Sequence, residues 1–163
     1  YFPAKTSAIT LAGTAEKPQS LQGAQVGQHV LVRLTLTLAH DAYYLVVEDP
    51  IPAGAVVLTA DSTNLVQPMA LFIGDALPQQ GARSTLGVDL EAIHFSQPLI
   101  FDDHITWMAT YLPAGTYELI YRLILLQPGE YHVLAGRAYQ MYYPQVWGNS
   151  AEDIFTIEEA VAE

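Results

Sequence analysis

From Val30 to Leu38 the chain reads VLVRLTLTL, with Val30, Val32, Leu34, Leu36 and Leu38 at alternate positions and Arg33, Thr35 and Thr37 among the intervening ones. A period of two predicts a strand with one buried and one wet face. YYLVVEDP, Tyr43 to Pro50, predicts a second strand stopped by proline, and IPAG, Ile51 to Gly54, a turn. ITWMAT, Ile105 to Thr110, reads as a strand before the turn LPAG, Leu112 to Gly115. TYELIYRLILL, Thr116 to Leu126, carries the strongest strand signal. Tyr117, Leu119, Tyr121, Leu123 and Leu125 form one face, and the other face mixes Ile120, Ile124 and Leu126 with Glu118 and Arg122. A central sandwich strand whose outer face a neighbour partly covers has this pattern.

QPGE, Gln127 to Glu130, predicts a turn into Tyr131–Leu134 and a hairpin with the preceding strand. Ile154–Ile157 reads as a last strand. Residues 61–97 mix apolar pieces with polar loops and fit either a short helix or a long loop. The fold class expected is all-β, an antiparallel sandwich, with residues 1–163 as one domain.

The chain has 163 residues, 51% hydrophobic and 14% charged, so it can bury a core without staples. Ten tyrosines and abundant Val, Ile, Leu and Thr favour strands over helices. Six basic against 17 acidic residues, a net charge of −11, argue against nucleic acid and against docking on an anionic membrane. The acidic tail, Glu152, Asp153, Glu158, Glu159 and Glu163, reads as a solvated end. Cysteine is absent, which removes disulfides, thiolate zinc sites and cysteine nucleophiles from this chain. No apolar run reaches the length of a membrane helix. The chain opens at Tyr1 with no signal-peptide pattern and no initiator methionine, as expected of a fragment of a larger protein.

Nothing in the sequence announces catalysis or a cofactor. Asp102-Asp103-His104 reads as a polar turn, because neighbouring strand residues face opposite ways. His29, His40, His94, His104 and His132 lack ligand spacing, the serines lack the GxSxG elbow, and no glycine-rich phosphate loop is followed by GK[ST]. The expectation is no enzyme, no catalytic residue, no metal and no cofactor.

The unusual segment is GRAYQMYYPQVWGNS, Gly136 to Ser150. It concentrates aromatic side chains and Met141 where proline and glycine suggest a loop. One reading buries Tyr139, Met141 and Tyr143 on one side and plugs the sandwich end with Trp147. The other makes the segment a docking surface, since Tyr, Trp and Met are enriched at interfaces. As an exposed ring platform on a stand-alone adhesion or carbohydrate-binding module, Tyr142, Tyr143 and Trp147 would stack sugars.

YYLVVEDPIPAG (Tyr43 to Gly54), FDDHITWMATYLPAGTYELIYRL (Phe101 to Leu123) and GEYHVLAGRAYQMYYPQVWGNS (Gly129 to Ser150) occur in that order. Together they resemble the C-terminal, receptor-binding-like macroglobulin domain of bacterial alpha-2-macroglobulins. His104 stands where the family often has Arg after the paired aspartates, and Asn149 where it has Arg in GRS. The resemblance implies a non-catalytic sandwich from a periplasmic or extracellular protease trap, anchored in some cases through a lipid on the parent. Its partners would be the thioester domain and neighbouring macroglobulin domains of the parent chain, with proteases as targets of the whole protein. It also implies that the aromatic segment shields the thioester from water until the bait region is cut. Met141 and Tyr142 occupy the matching positions, with Tyr139, Tyr143 and Trp147 beside them. A thioester requires cysteine, so it would lie elsewhere in the parent.

Overall fold

A computed structural model describes residues 5–11, 21–58, 69–73 and 95–160. Three sheets make up the described fold. The first is built on β3 (His29–Leu38) and β9 (Gly115–Leu125), antiparallel from His29↔Ile124 to Leu38↔Gly115. β1 (Lys5–Leu11) adds to the far side of β3. Along the other edge of β9, β5 (Ala55–Val57) and β6 (Met69–Ile73) lie end to end, against Leu123–Leu125 and Thr116–Ile120 respectively.

The second sheet runs β12 (Tyr143–Asn149), β11 (Arg137–Gln140), β4 (Ala42–Pro50), β8 (His104–Leu112), β7 (Leu99–Ile100). The third is small: β10 (Gly129–Val133), β13 (Asp153–Glu158) and β2 (Gly23–Gln25), with β13 and β2 parallel.

Alternation in the sequence becomes burial in the fold. Val30, Val32, Leu34, Leu36 and Leu38 are buried, as are Tyr117, Leu119, Tyr121, Leu123 and Leu125 on the adjoining strand. They face Leu45, Val47, Ile105, Trp107 and Ala109 of the second sheet, and Phe155 and Ile157 of the third join the same core. The centres of the Trp107 and Tyr121 rings are 5.7 Å apart. Burying side chains of this size stabilises by roughly 1.5–3 kcal/mol each, which is why the period of two survives folding.

Three expectations change. The turn at Gln127–Glu130 does not return the chain along β9: β10 pairs with β13 in another sheet. The edge that a hairpin would have used is taken by β5 and β6, so the turn becomes a passage between sheets. Within 61–97, Met69–Ile73 forms a strand on β9; 61–68 and 74–94 lie outside the described residues. A strand at Lys5–Leu11, unmarked by the pattern, pairs with β3.

The acidic tail is solvated where described, with Glu152, Asp153, Glu158 and Glu159 exposed; Glu163 lies outside the described residues. Among the described residues no helix is long and apolar enough to cross a membrane.

Candidate docking face

The aromatic segment is a β-hairpin. β11 and β12 pair through Arg137↔Asn149, Ala138↔Gly148 and Tyr139↔Trp147, then the register shifts to Gln140↔Tyr143. The tip is Met141-Tyr142. Pro144 sits on β12, an edge strand, where the missing N–H costs no ladder bond. β11 docks on β4 through Tyr139↔Val46, and β4 on β8 through Val46↔Met108. Directly opposed residues share a face. Trp147, Tyr139, Val46 and Met108 therefore form one apolar row across four strands, on the face turned away from the core.

Exposure separates the two readings of this segment. Tyr142 is 65% exposed and Trp147 55%, and Met141 and Tyr143 are about half exposed. Trp147 does not plug the sandwich. Ala138, Gly148 and Gln140, on the opposite face of the same hairpin, supply its buried side. Tyr139 is half-buried: its hydroxyl donates to Glu48 Oε1 at 3.0 Å, and the Arg137 guanidinium lies 4.7 Å from its ring centre. Arg137 Nε donates to Glu48 Oε2 at 3.0 Å, so one carboxylate orders both side chains. Burial, followed by the hydrogen bond to Glu48, pushes the Tyr139 phenol up, so it stays neutral.

Two residues that the sequence reading did not single out complete the surface. Tyr43 and Tyr44 are both exposed, although neighbours on a strand normally face opposite ways. The cause is a left-handed backbone at Tyr44, with φ at 50°. Tyr43 meets Tyr111 at 5.1 Å and Tyr44 meets Tyr142 at 4.9 Å. Tyr44, Val46, Met108, Met141 and Ser96 border a groove of about 220 Å³. The available hint was the run Leu45-Val46-Val47, apolar on both faces, which marks a strand covered on both sides.

The planes of Tyr44 and Tyr142 meet at 86° and those of Tyr43 and Tyr111 at 42°, so neither pair is coplanar.

Away from this face, Asp102 and Asp103 form the turn between β7 and β8, where Phe101 N–H donates to the His104 carbonyl at 2.9 Å. Asp103 Oδ1 lies 2.6 Å from His104 Nδ1, and that hydrogen bond, aided by the ring's charge, holds the Asp103 carboxyl below its ordinary range. Among the described residues no three His, Asp or Glu side chains are placed to hold a metal ion.

The fold matches solved structures of much longer proteins. Salmonella alpha-2-macroglobulin reacted with methylamine aligns over 97% of this chain at TM-score 0.65 and 20% identity. Escherichia coli alpha-2-macroglobulin activated by porcine elastase aligns over 94% at 0.65 and 24%. The native Escherichia coli protein, spanning domain MG7 to the C-terminus, aligns over 94% at 0.64 and 19%. At these identities the likeness is one of fold. The chain spans 10%, 13% and 23% of those three chains respectively. No curated protein sequence matches it. The profile described as the bacterial alpha-2-macroglobulin MG10 domain matches residues 7–145, which include β3, β4, β8, β9, β11 and the hairpin tip, and on that match this chain belongs to the bacterial alpha-2-macroglobulin MG10 domain family.

Proposed function

We propose that residues 1–163 form one non-catalytic domain, the last of an alpha-2-macroglobulin-like protease trap in the bacterial envelope, and that its Met141–Tyr142 hairpin packs on the thioester domain of the same parent chain. The observation that carries this reading is the exposure of Met141, Tyr142, Tyr143 and Trp147 on one hairpin. Monomeric surfaces rarely gather large apolar side chains this way unless something covers them. A thioester is lost to water, so it survives only under a dry cover. Met and Tyr suit a contact that must later release. A flexible thioether and amphipathic rings lose little on returning to water compared with a jigsaw core. Glu48, Arg137 and Tyr139 make a polar border on one side of the patch, as at interfaces whose rim stays wet. Proteases would be targets of the whole protein; this chain holds no cysteine and cannot form the covalent link itself.

The test is made in the full-length parent. Met141→Ala with Tyr142→Ala should hasten thioester loss, read as earlier appearance of a free thiol in the uncleaved protein. Thiol kinetics equal to those of the unaltered protein would remove the shielding role.

A further inference from the structure

We propose that Tyr44 is a positioning residue that holds the Met141–Tyr142 tip in one orientation before any partner meets it. This inference rests on reading that tip as a docking surface. Among the described residues Tyr44 is the only non-glycine with a positive φ, at 50°. A bulky side chain resists this conformation, so surrounding contacts must enforce it. Those contacts converge on the tip. The Tyr44 carbonyl accepts the Met141 N–H at 2.9 Å, one step beyond the last pair of the β11–β4 ladder, Gln140↔Leu45. Its ring meets the Tyr142 ring edge-on at 4.9 Å and 86°. One residue of β4 thus grips both residues of the tip, by backbone and by ring.

The hairpin cannot supply this grip alone. Its register shift between Tyr139 and Gln140 leaves 144–146 without ladder partners on β11, so the strands do not dictate where the tip points. Tyr44 lies two residues before Val46 and opposite Met141, so its side chain shares their outward face, and the left-handed backbone breaks the alternation at Tyr43 rather than at Tyr44. Fixing the tip in advance removes an ordering cost from docking.

The experiment follows amide exchange of Met141 in this chain, with Leu119 in the core as reference. Tyr44→Asn tolerates the left-handed backbone and keeps the carbonyl but removes the ring. It should speed Met141 exchange roughly fivefold, the scale of one lost aromatic edge contact, and leave Leu119 unchanged. Tyr44→Phe should match the native chain. Tyr142→Ala removes the same contact from the exposed side, where folding is not at stake. The double variant Tyr44→Asn/Tyr142→Ala should be no faster than either single one. Native exchange at Met141 in Tyr44→Asn, or simple addition of the two effects, overturns the proposal. Thiol release in the parent separates the two ideas. If Met141→Ala/Tyr142→Ala leaves it unchanged, the shielding reading fails while the exchange result stands. If that variant hastens release and Tyr44→Asn does not, with native exchange at Met141, the positioning role alone fails.

Discussion

Tyr121 Oη donates to Asp49 Oδ2 at 2.8 Å across the core, tying the central strand of one sheet to the central strand of the other. Asp49 is only 3% exposed. Desolvation lifts its carboxyl from an ordinary 3.8 to about 6, and the Tyr121 hydrogen bond, which favours the ionised form, offsets only part of the rise. Burial also holds the Tyr121 phenol well above its usual range, so it remains a donor.

Stability should therefore fall as pH rises from about 4 to about 6. In that window the folded chain keeps the Asp49 proton while the unfolded chain releases it, so each step up in pH favours unfolding. The loss is on the order of 3 kcal/mol, complete above pH 6 and absent below pH 4. Urea unfolding across this range should show the decline in the native chain and a flatter profile in Asp49→Asn. Equal slopes in both would contradict the assignment. Tyr121→Phe should carry the decline to higher pH and cost roughly 1–3 kcal/mol from the lost partner.

Gly136→Ala should destabilise by roughly 1–3 kcal/mol. A Cβ there would sit 2.8 Å from Asp49 Oδ1 and 3.4 Å from the Glu48 carbonyl. The segment cannot easily withdraw. Gly136 N–H donates to Ser150 Oγ at 3.0 Å, and Ser150 N–H donates to the Gly136 carbonyl at 2.8 Å. Thermal unfolding checks this; an unchanged midpoint would mean that Asp49 moves freely.

The two tryptophans should behave as opposites. Trp107 is fully buried, and Trp147 lies mostly in solvent. Trp147→Phe should remove the red-shifted emission that iodide quenches and leave stability within about 0.5 kcal/mol. Trp107→Ala should cost roughly 3–5 kcal/mol. A native chain whose whole emission resists iodide would show Trp147 to be covered.

Arg137→Ala should change stability by less than about 1 kcal/mol, because the Arg137 side chain is mostly exposed and Glu48 keeps its hydrogen bond from the Tyr139 hydroxyl. Nuclear magnetic resonance of the Tyr139 ring should nevertheless register the change, since the guanidinium lies over that ring. A loss of several kcal/mol would require contacts beyond Glu48 and Tyr139.

The strands β3, β4, β8, β9 and β13 were readable from alternation and turn chemistry, because burying one face of a strand imposes a period of two on the residues themselves. The sequence also makes Met141, Tyr142, Tyr143 and Trp147 too apolar for an ordinary loop, which fits either a docking surface or burial. Partnership between strands was not readable. Whether β9 pairs with β10 or with β5 and β6 depends on contacts distant in sequence, and QPGE is compatible with either outcome. Only the folded structure chose exposure over burial for the hairpin, because which face of β11 and β12 meets the core follows from their register on β4. Val46 and Met108 join Tyr139 and Trp147 only through that pairing, and Tyr44 meets the Met141–Tyr142 tip only because β11 runs on β4 at Gln140↔Leu45. Local sequence encodes how polar each face is; the assembly of strands decides which faces meet and which stay open.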